Sequence, residues 1–188
     1  SVKAFMGSKY VQARMDTAYN DAKRFLIEGR MVLFSGTPCQ IAGLHKFLRK
    51  PYDNLITVDF ICHGTPSPLV WKYYLQSSCI GNKEVNHIDF RSKKNGWKRY
   101  CFSINYTDSV SYMIPHPENL YMKAFLQDII LRPSCYCCKV KGGSSKSDIT
   151  MADFWGIETI NPKFDDDKGT SMVFINTENG HLFFDYDN

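Results

Sequence analysis

The stretch Met31-Val32-Leu33-Phe34-Ser35-Gly36-Thr37-Pro38-Cys39-Gln40-Ile41-Ala42-Gly43-Leu44 decides the fold. Its first four residues are wholly apolar, the pattern of a short strand buried on both faces. Gly36 supplies a turn, Thr37 a helix N-cap and Pro38 the first helical position, where its missing N–H does no harm. Ile41, Leu44, Phe47 and Leu48 then recur at the spacing of one apolar helix face. Upstream, Asp16 or Thr17 caps a helix predicted to run to about Glu28, with Gly29 as its stop. Downstream, Leu55 to Ile61 is a second apolar run. Ser67-Pro68 repeats the cap-then-proline start for a helix over Leu69 to Ser77, and Val85 to Phe90 reads as a third strand. Strand alternating with helix implies a parallel sheet with right-handed crossovers.

The second half changes pattern. Tyr100 to Thr107 alternates as a half-exposed strand and pairs with Val110 to Ile114 as a hairpin. Asn119 to Ile130 reads as a helix with Leu120, Ala124, Phe125 and Ile129 inward. Ile149 to Phe154 and Met172 to Ile175 are further strands. The expected fold class is therefore α/β, a mixed, mostly parallel sheet flanked by helices, with an antiparallel hairpin in the second half. Pro115-His116-Pro117 is the best candidate linker, but one continuous domain over residues 1–188 is favoured.

The 188 residues include 44% hydrophobic and 14% aromatic residues, enough for a real core. A formal net charge of +4 suits a phosphate-bearing ligand but falls short of the basicity of a nucleic-acid binder. No apolar run reaches membrane-spanning length and no signal peptide opens the chain. The chain starts at Ser1 rather than Met and stops just after His181-Leu182-Phe183-Phe184, so it reads as an excerpt of a longer protein. Seven cysteines, an odd number without a secretion signal, argue against a disulfide framework and for a reducing cytoplasm.

Cys39 and Cys62 stand alone, each just beyond the carboxyl end of a predicted parallel strand, where open α/β sheets bind ligands. Cys39 also opens a helix, where end amides stabilise a thiolate. Cys135 and Cys138 form a Cys-x-x-Cys pair on one turn of backbone. Together these thiols make a tetrahedral sulfur set that suits an iron–sulfur cluster or zinc. Zinc ribbons usually use two such knuckles, whereas clusters tolerate scattered ligands. Cys79 and Cys101 are expected as inert core residues; Cys137, inside the Cys-x-x-Cys, is either a replacement for a neighbouring ligand or, with its side chain directed away from the other two, no ligand at all. The alternative for each lone cysteine is a small buried hydrophobe.

Arg91-Ser92-Lys93-Lys94-Asn95-Gly96-Trp97-Lys98-Arg99 is the densest basic stretch, either a solvated hairpin tip turning at Asn95-Gly96 or an anion clamp with Trp97 as an exposed platform. Asp165-Asp166-Asp167 reads as a solvated loop or a divalent-cation site. In Lys168-Gly169-Thr170-Ser171 the glycine lets backbone amides approach a phosphate. His63 is either a proton donor near a flavin or a loop histidine.

The wording of these motifs resembles a known family. Phe34 to Leu44, Asp59-Phe60-Ile61-Cys62-His63-Gly64-Thr65-Pro66-Ser67-Pro68, Leu131-Arg132-Pro133-Ser134-Cys135 to Cys138, and Ser147-Asp148-Ile149-Thr150-Met151-Ala152-Asp153-Phe154-Trp155-Gly156-Ile157 occur in the order found in the coenzyme F420 hydrogenase/dehydrogenase beta-subunit family, in particular its C-terminal domain. The resemblance spans about residues 8–180. It implies an iron–sulfur flavoprotein oxidoreductase, with a 4Fe–4S cluster on Cys39, Cys62, Cys135 and Cys138 next to FAD. Electrons would pass between the cluster, the flavin and a hydride-carrying small molecule such as coenzyme F420 or another acceptor. Gly36, Thr37 and Gln40 on one loop, Lys168, Gly169, Thr170 and Ser171 on another, and Trp97 are the candidate flavin contacts. The implied partner is a redox protein or a ferredoxin module, which in bacterial relatives often precedes this domain. The alternatives are a non-enzymatic electron-relay subunit and a zinc-stabilised binding module.

Overall fold

The computed structural model describes residues 7–78 and 83–185. Its elements are α1 (Ala18–Ile27), β1 (Val32–Ser35), α2 (Pro38–Leu48), β2 (Leu55–Phe60), α3 (Pro68–Ser78), β3 (Val85–Ser92), β4 (Cys101–Tyr106), β5 (Ser111–Pro115), α4 (Leu120–Leu126), α5 (Pro133–Tyr136), β6 (Ile149–Asp153), α6 (Ile157–Ile160), β7 (Ser171–Ile175) and α7 (Glu178–Asp185). Cys79 lies outside the described residues. The chain divides into two compact units. One comprises Arg14–Cys62, Cys137–Ile157 and Thr170–Asn188; the other comprises Ser1–Ala13, His63–Tyr136 and Glu158–Gly169.

The first unit is built on a four-stranded sheet in the order β1-β2-β6-β7. β1 and β6 flank β2 in parallel, and β7 runs antiparallel along β6. This is the mixed, mostly parallel α/β sheet that the apolar runs predict. Ala22 and Leu26 of α1, Leu44 and Leu48 of α2, and Leu55 of β2 form its core, with Val32 and Phe34 packed against it. The helices thus cover the sheet face that carries Val32, Phe34 and Leu55. On the opposite face the register aligns Leu33 with Ile56, and Phe60 with Met151 and then Val173. Ile56 and Ile149 are buried on that face, while Leu33, Phe60, Met151, Val173 and Ile175 stay exposed.

The same unit contains a polar core that the sequence did not announce. Asp59, buried in β2, accepts hydrogen bonds from Ser145 Oγ at 2.5 Å and Thr150 Oγ1 at 2.6 Å. Asp148 accepts from the Thr57 backbone and hydroxyl, each at 2.7 Å, and from Thr177 Oγ1 at 2.6 Å. Asn176 closes the set by donating to Thr150 Oγ1 at 2.9 Å. Buried polar groups are tolerated when paired in this way. The network ties β2 to the segment between Cys138 and β6, and to the end of β7.

The second unit carries a three-stranded antiparallel sheet, β3-β4-β5. The predicted hairpin is β4 and β5, with Phe102 opposite Ile114. Val85 to Phe90 is a strand, as expected, but not a third parallel strand. It is antiparallel to β4, with a register shift between Asp89 and Ser92. Its polar Asn86, His87 and Asp89 among apolar residues fit a sheet with one wet face rather than one buried on both. Phe90, Phe102, Tyr121, Met122 and Phe125 dominate an aromatic core against which Trp71 and Tyr74 of α3 pack. Pro115, His116 and Pro117 fall inside this unit.

Candidate functional site

α2 begins as its sequence dictates. Thr37 is the N-cap with an extended backbone, Pro38 follows, and the Gln40 side chain reaches back to accept the Thr37 N–H at 2.8 Å. Gly36 lies so close to Gln40 that a Cβ would stand 2.9 Å from Oε1. This turn presents Cys39 to solvent, with Thr37 Oγ1 at 3.1 Å from its sulfur. Tyr19 donates to the Gln40 carbonyl at 2.8 Å, and its hydroxyl pKa is raised, first by burial and then by the charge on Cys39 as a thiolate.

Cys62 lies two residues beyond the end of β2, with the intervening Ile61 N–H still bonded to Met151 O at 2.9 Å. Because β1 and β2 are adjacent and parallel, Cys39 and Cys62 both lie beyond the same edge of the sheet. β7 runs the other way, so its first residue, Ser171, pairs with Asp153 at the carboxyl end of β6. Thr170 and Ser171 therefore share that edge. The depression lined by Ile175, Asn176, Thr177, Glu178 and His181 lies at the opposite edge, at the far end of β7.

Cys135 belongs to the second unit and sits in α5, with its sulfur 4.0 Å from Thr65 O. His63 directs Nε2 at Asp128 Oδ1, 2.8 Å away, and at Phe125 O, 3.0 Å away. Cys137 is exposed, Cys138 partly buried and Cys101 buried in β4 as expected.

The basic segment joins the antiparallel strands β3 and β4 as a hairpin connection, with Lys93, Lys94 and Asn95 exposed, but its tryptophan is not the exposed platform of the sequence reading. Trp97 is only 4% exposed. The Trp97 N–H donates to Asp167 O, and the Lys98 N–H to Asp167 Oδ1, both at 3.0 Å. Lys98 Nζ lies 2.6 Å from Asp165 Oδ2, and its pKa is raised chiefly by that hydrogen bond. Asp166 is held below its ordinary pKa, chiefly by the Lys168 N–H. Lys98 thus finds its counter-charge in the acidic loop, while Asp166 finds its own in Lys168. Gly169, at φ +93, lies against the indole so closely that a Cβ would collide with it.

The donor chemistry fits an iron–sulfur cluster. Cys39, Cys62, Cys135 and Cys138 are all thiols outside any disulfide, and thiolates are the cluster's usual ligands. Among the described residues, no three His, Cys, Asp or Glu side chains gather closely enough to hold a single metal ion. The proposed flavin contacts fit less well. The Thr37 N–H is taken by Gln40 and Pro38 has none, which removes two amides that a diphosphate could meet at this helix start. Gly169 and Trp97 are packed against each other.

A family profile for the C terminus of the coenzyme F420 hydrogenase/dehydrogenase beta subunit matches residues 29–187. Among solved structures, the chain is similar to one in the F420-reducing NiFe hydrogenase complex from Methanosarcina barkeri, studied by xenon derivatization, with 17% identity and a TM-score of 0.55. The match covers 96% of this chain and 55% of that one, so this chain spans about half the length of that relative. At such identity the likeness concerns the fold. No curated protein matches the chain. No helix among the described residues is long and apolar enough to cross a membrane.

Proposed function

The chain belongs to the coenzyme F420 hydrogenase/dehydrogenase beta-subunit family, and from that membership we propose that it is an electron-transfer oxidoreductase module whose centre is a 4Fe–4S cluster. The observation that carries this reading is the placement of Cys39 and Cys62, two reduced thiols beyond the same edge of adjacent parallel strands. Cys135 and Cys138 are the other ligands. A bound cluster moves electrons singly, and FAD, which the family resemblance brings, couples single electrons to hydride transfer.

The chain's own residues do the positioning. The Thr37–Gln40 turn sets Cys39 at the head of α2, and β2 delivers Cys62. The Asp59 and Asp148 networks tie the segment leading from Cys138 to β6 onto β2. The organic substrate is a hydride carrier of the coenzyme F420 type or another acceptor, and the electron partner is a redox protein or ferredoxin module. A reducing cytoplasm suits four thiols held outside disulfides.

Anaerobic reconstitution of the full-length protein should yield about four irons and four sulfides per chain. Replacing Cys39, Cys62, Cys135 or Cys138 singly with Ser should lower the iron content, whereas Cys101→Ser should not. Stoichiometric zinc without iron would exclude the cluster. One observation favours a second reading, an electron-relay module without its own organic substrate: Gly36 with Gln40, and Gly169 with Trp97, are engaged with each other. Flavin content of the purified protein separates the two, since a relay module has none.

A further inference from the structure

α1 and α4 end in the same way. After α1, the Gly29 N–H bonds Leu26 O at 3.1 Å and the Arg30 N–H bonds Phe25 O at 3.0 Å. After α4, the Asp128 N–H bonds Phe125 O at 3.1 Å and the Ile129 N–H bonds Ala124 O at 2.9 Å. Both are Schellman turns, which need one residue in the left-handed region. Gly29 meets that need at φ +77, and Asp128 at φ +62. Glycine is the residue such a turn prefers, because an L side chain crowds the following carbonyl. An aspartate kept there against the backbone's preference points to a use for its side chain.

That use is visible. The Asp128 carboxylate meets His63 Nε2 at 2.8 Å, and its carbonyl accepts the Tyr136 hydroxyl. Nε2 is also 3.0 Å from the Phe125 carbonyl. Both neighbours are acceptors, so Nε2 carries the hydrogen. The two segments that Asp128 grips are laced together further along. The Arg132 N–H bonds Thr65 O at 3.0 Å, Pro66 bridges Leu131, and the Cys135 sulfur rests 4.0 Å from Thr65 O. Tyr136 follows Cys135 directly.

We propose that Asp128 is a positioning residue for Cys135. It occupies the glycine position of the helix cap so that one side chain clamps His63 and one carbonyl clamps Tyr136, which fixes the Cys135 turn against the segment from His63 to Pro66. The proposal rests on the reading of Cys135 as a cluster ligand.

Asp128→Gly and Asp128→Asn test it, because both residues suit the left-handed position and only Asn keeps an oxygen for the Nε2 hydrogen. The unfolding midpoint of the Gly variant should equal or exceed the parent's, which shows that the cap survives. In metal-free full-length protein, peptide-resolved alkylation should modify Cys135 several times faster in the Gly variant and at the parental rate in the Asn variant. In reconstituted protein, a chelator should strip iron from the Gly variant about 10-fold faster or more, the loss expected when a ligand's outer partner is removed. Equal Cys135 alkylation in the Gly variant and the parent would overturn the clamp, as would an Asn variant that behaves like Gly. Faster alkylation with unchanged iron retention would overturn its bearing on the cluster. A parent protein that takes up no iron refutes the ligand reading alone, and alkylation still judges the clamp.

Discussion

His116 stacks on Tyr100 with ring centroids 4.3 Å apart, and its Nδ1 is buried without a hydrogen-bond partner. Burial, and then the nearby Arg91 charge, hold its pKa below the ordinary 6.5. The unfolded chain therefore binds this proton more readily than the folded one. The corresponding stability is complete above pH 6.5 and is lost as the pH falls toward the depressed folded value. His116→Phe keeps a ring on Tyr100 and removes the titration. Its denaturant midpoint should fall less than the parent's between pH 7 and pH 5, as followed by urea unfolding. The neighbouring Trp97 shows how a residue misleads when read alone. Lysines and arginines on either side suggested an exposed platform, but the acidic run at 165–167 lies far away in sequence and is what draws the segment down. Pairing of opposite charges across such a separation leaves no local periodicity to find. The Asp128 cap was illegible for a related reason. Glycine marks a helix end in sequence, as Gly29 does, and aspartate does not.

α4 was predicted with Leu120, Ala124, Phe125 and Ile129 inward; Phe125 is buried and Ala124 half-buried, whereas Leu120 and Ile129 are not. The helix ends at Leu126, before Ile129, and Tyr121, Met122 and Phe125 face inward. Leu120 is 75% exposed and Ile129 66% exposed. Asn119 caps the helix, accepting the Met122 N–H at 2.9 Å and donating to Tyr74 at 2.8 Å. Leu120→Lys should thus change stability by no more than about 0.5 kcal/mol, whereas Phe125→Ala should cost about 3–5 kcal/mol. Thermal or denaturant unfolding of the two variants checks this, and a loss of several kcal/mol in Leu120→Lys would restore the predicted inward Leu120. The parallel strands were legible because an apolar run flanked by a turn and a cap has few other readings. The same logic overreached at β3, where the polar Asn86, His87 and Asp89 already pointed to a sheet with one wet face. The tyrosine that displaced Leu120 from the core is amphipathic, and Tyr121 is buried with its hydroxyl bonded to Tyr10 O at 2.7 Å, a partner no helical pattern could supply.

At the scale of the whole chain, each compact unit has its own buried cluster, one aliphatic and one aromatic. The four-stranded sheet has helices α1 and α2 on one face, while Leu33, Phe60, Met151, Val173 and Ile175 line the other with their side chains in water. Several large apolar side chains exposed on one sheet face raise the tendency of an isolated chain to associate. The consequence is colloidal. This polypeptide by itself should scatter more light as its concentration rises, bind a hydrophobic dye and stick to chromatographic matrices. Met151→Lys combined with Val173→Lys should suppress all of these without lowering the unfolding midpoint, because both residues already face solvent. Static light scattering over a dilution series reads the effect directly, and unchanged scattering in the double variant would show that self-association arises elsewhere. How the protein behaves in a tube is therefore written in part in five exposed apolar side chains on one face of a sheet.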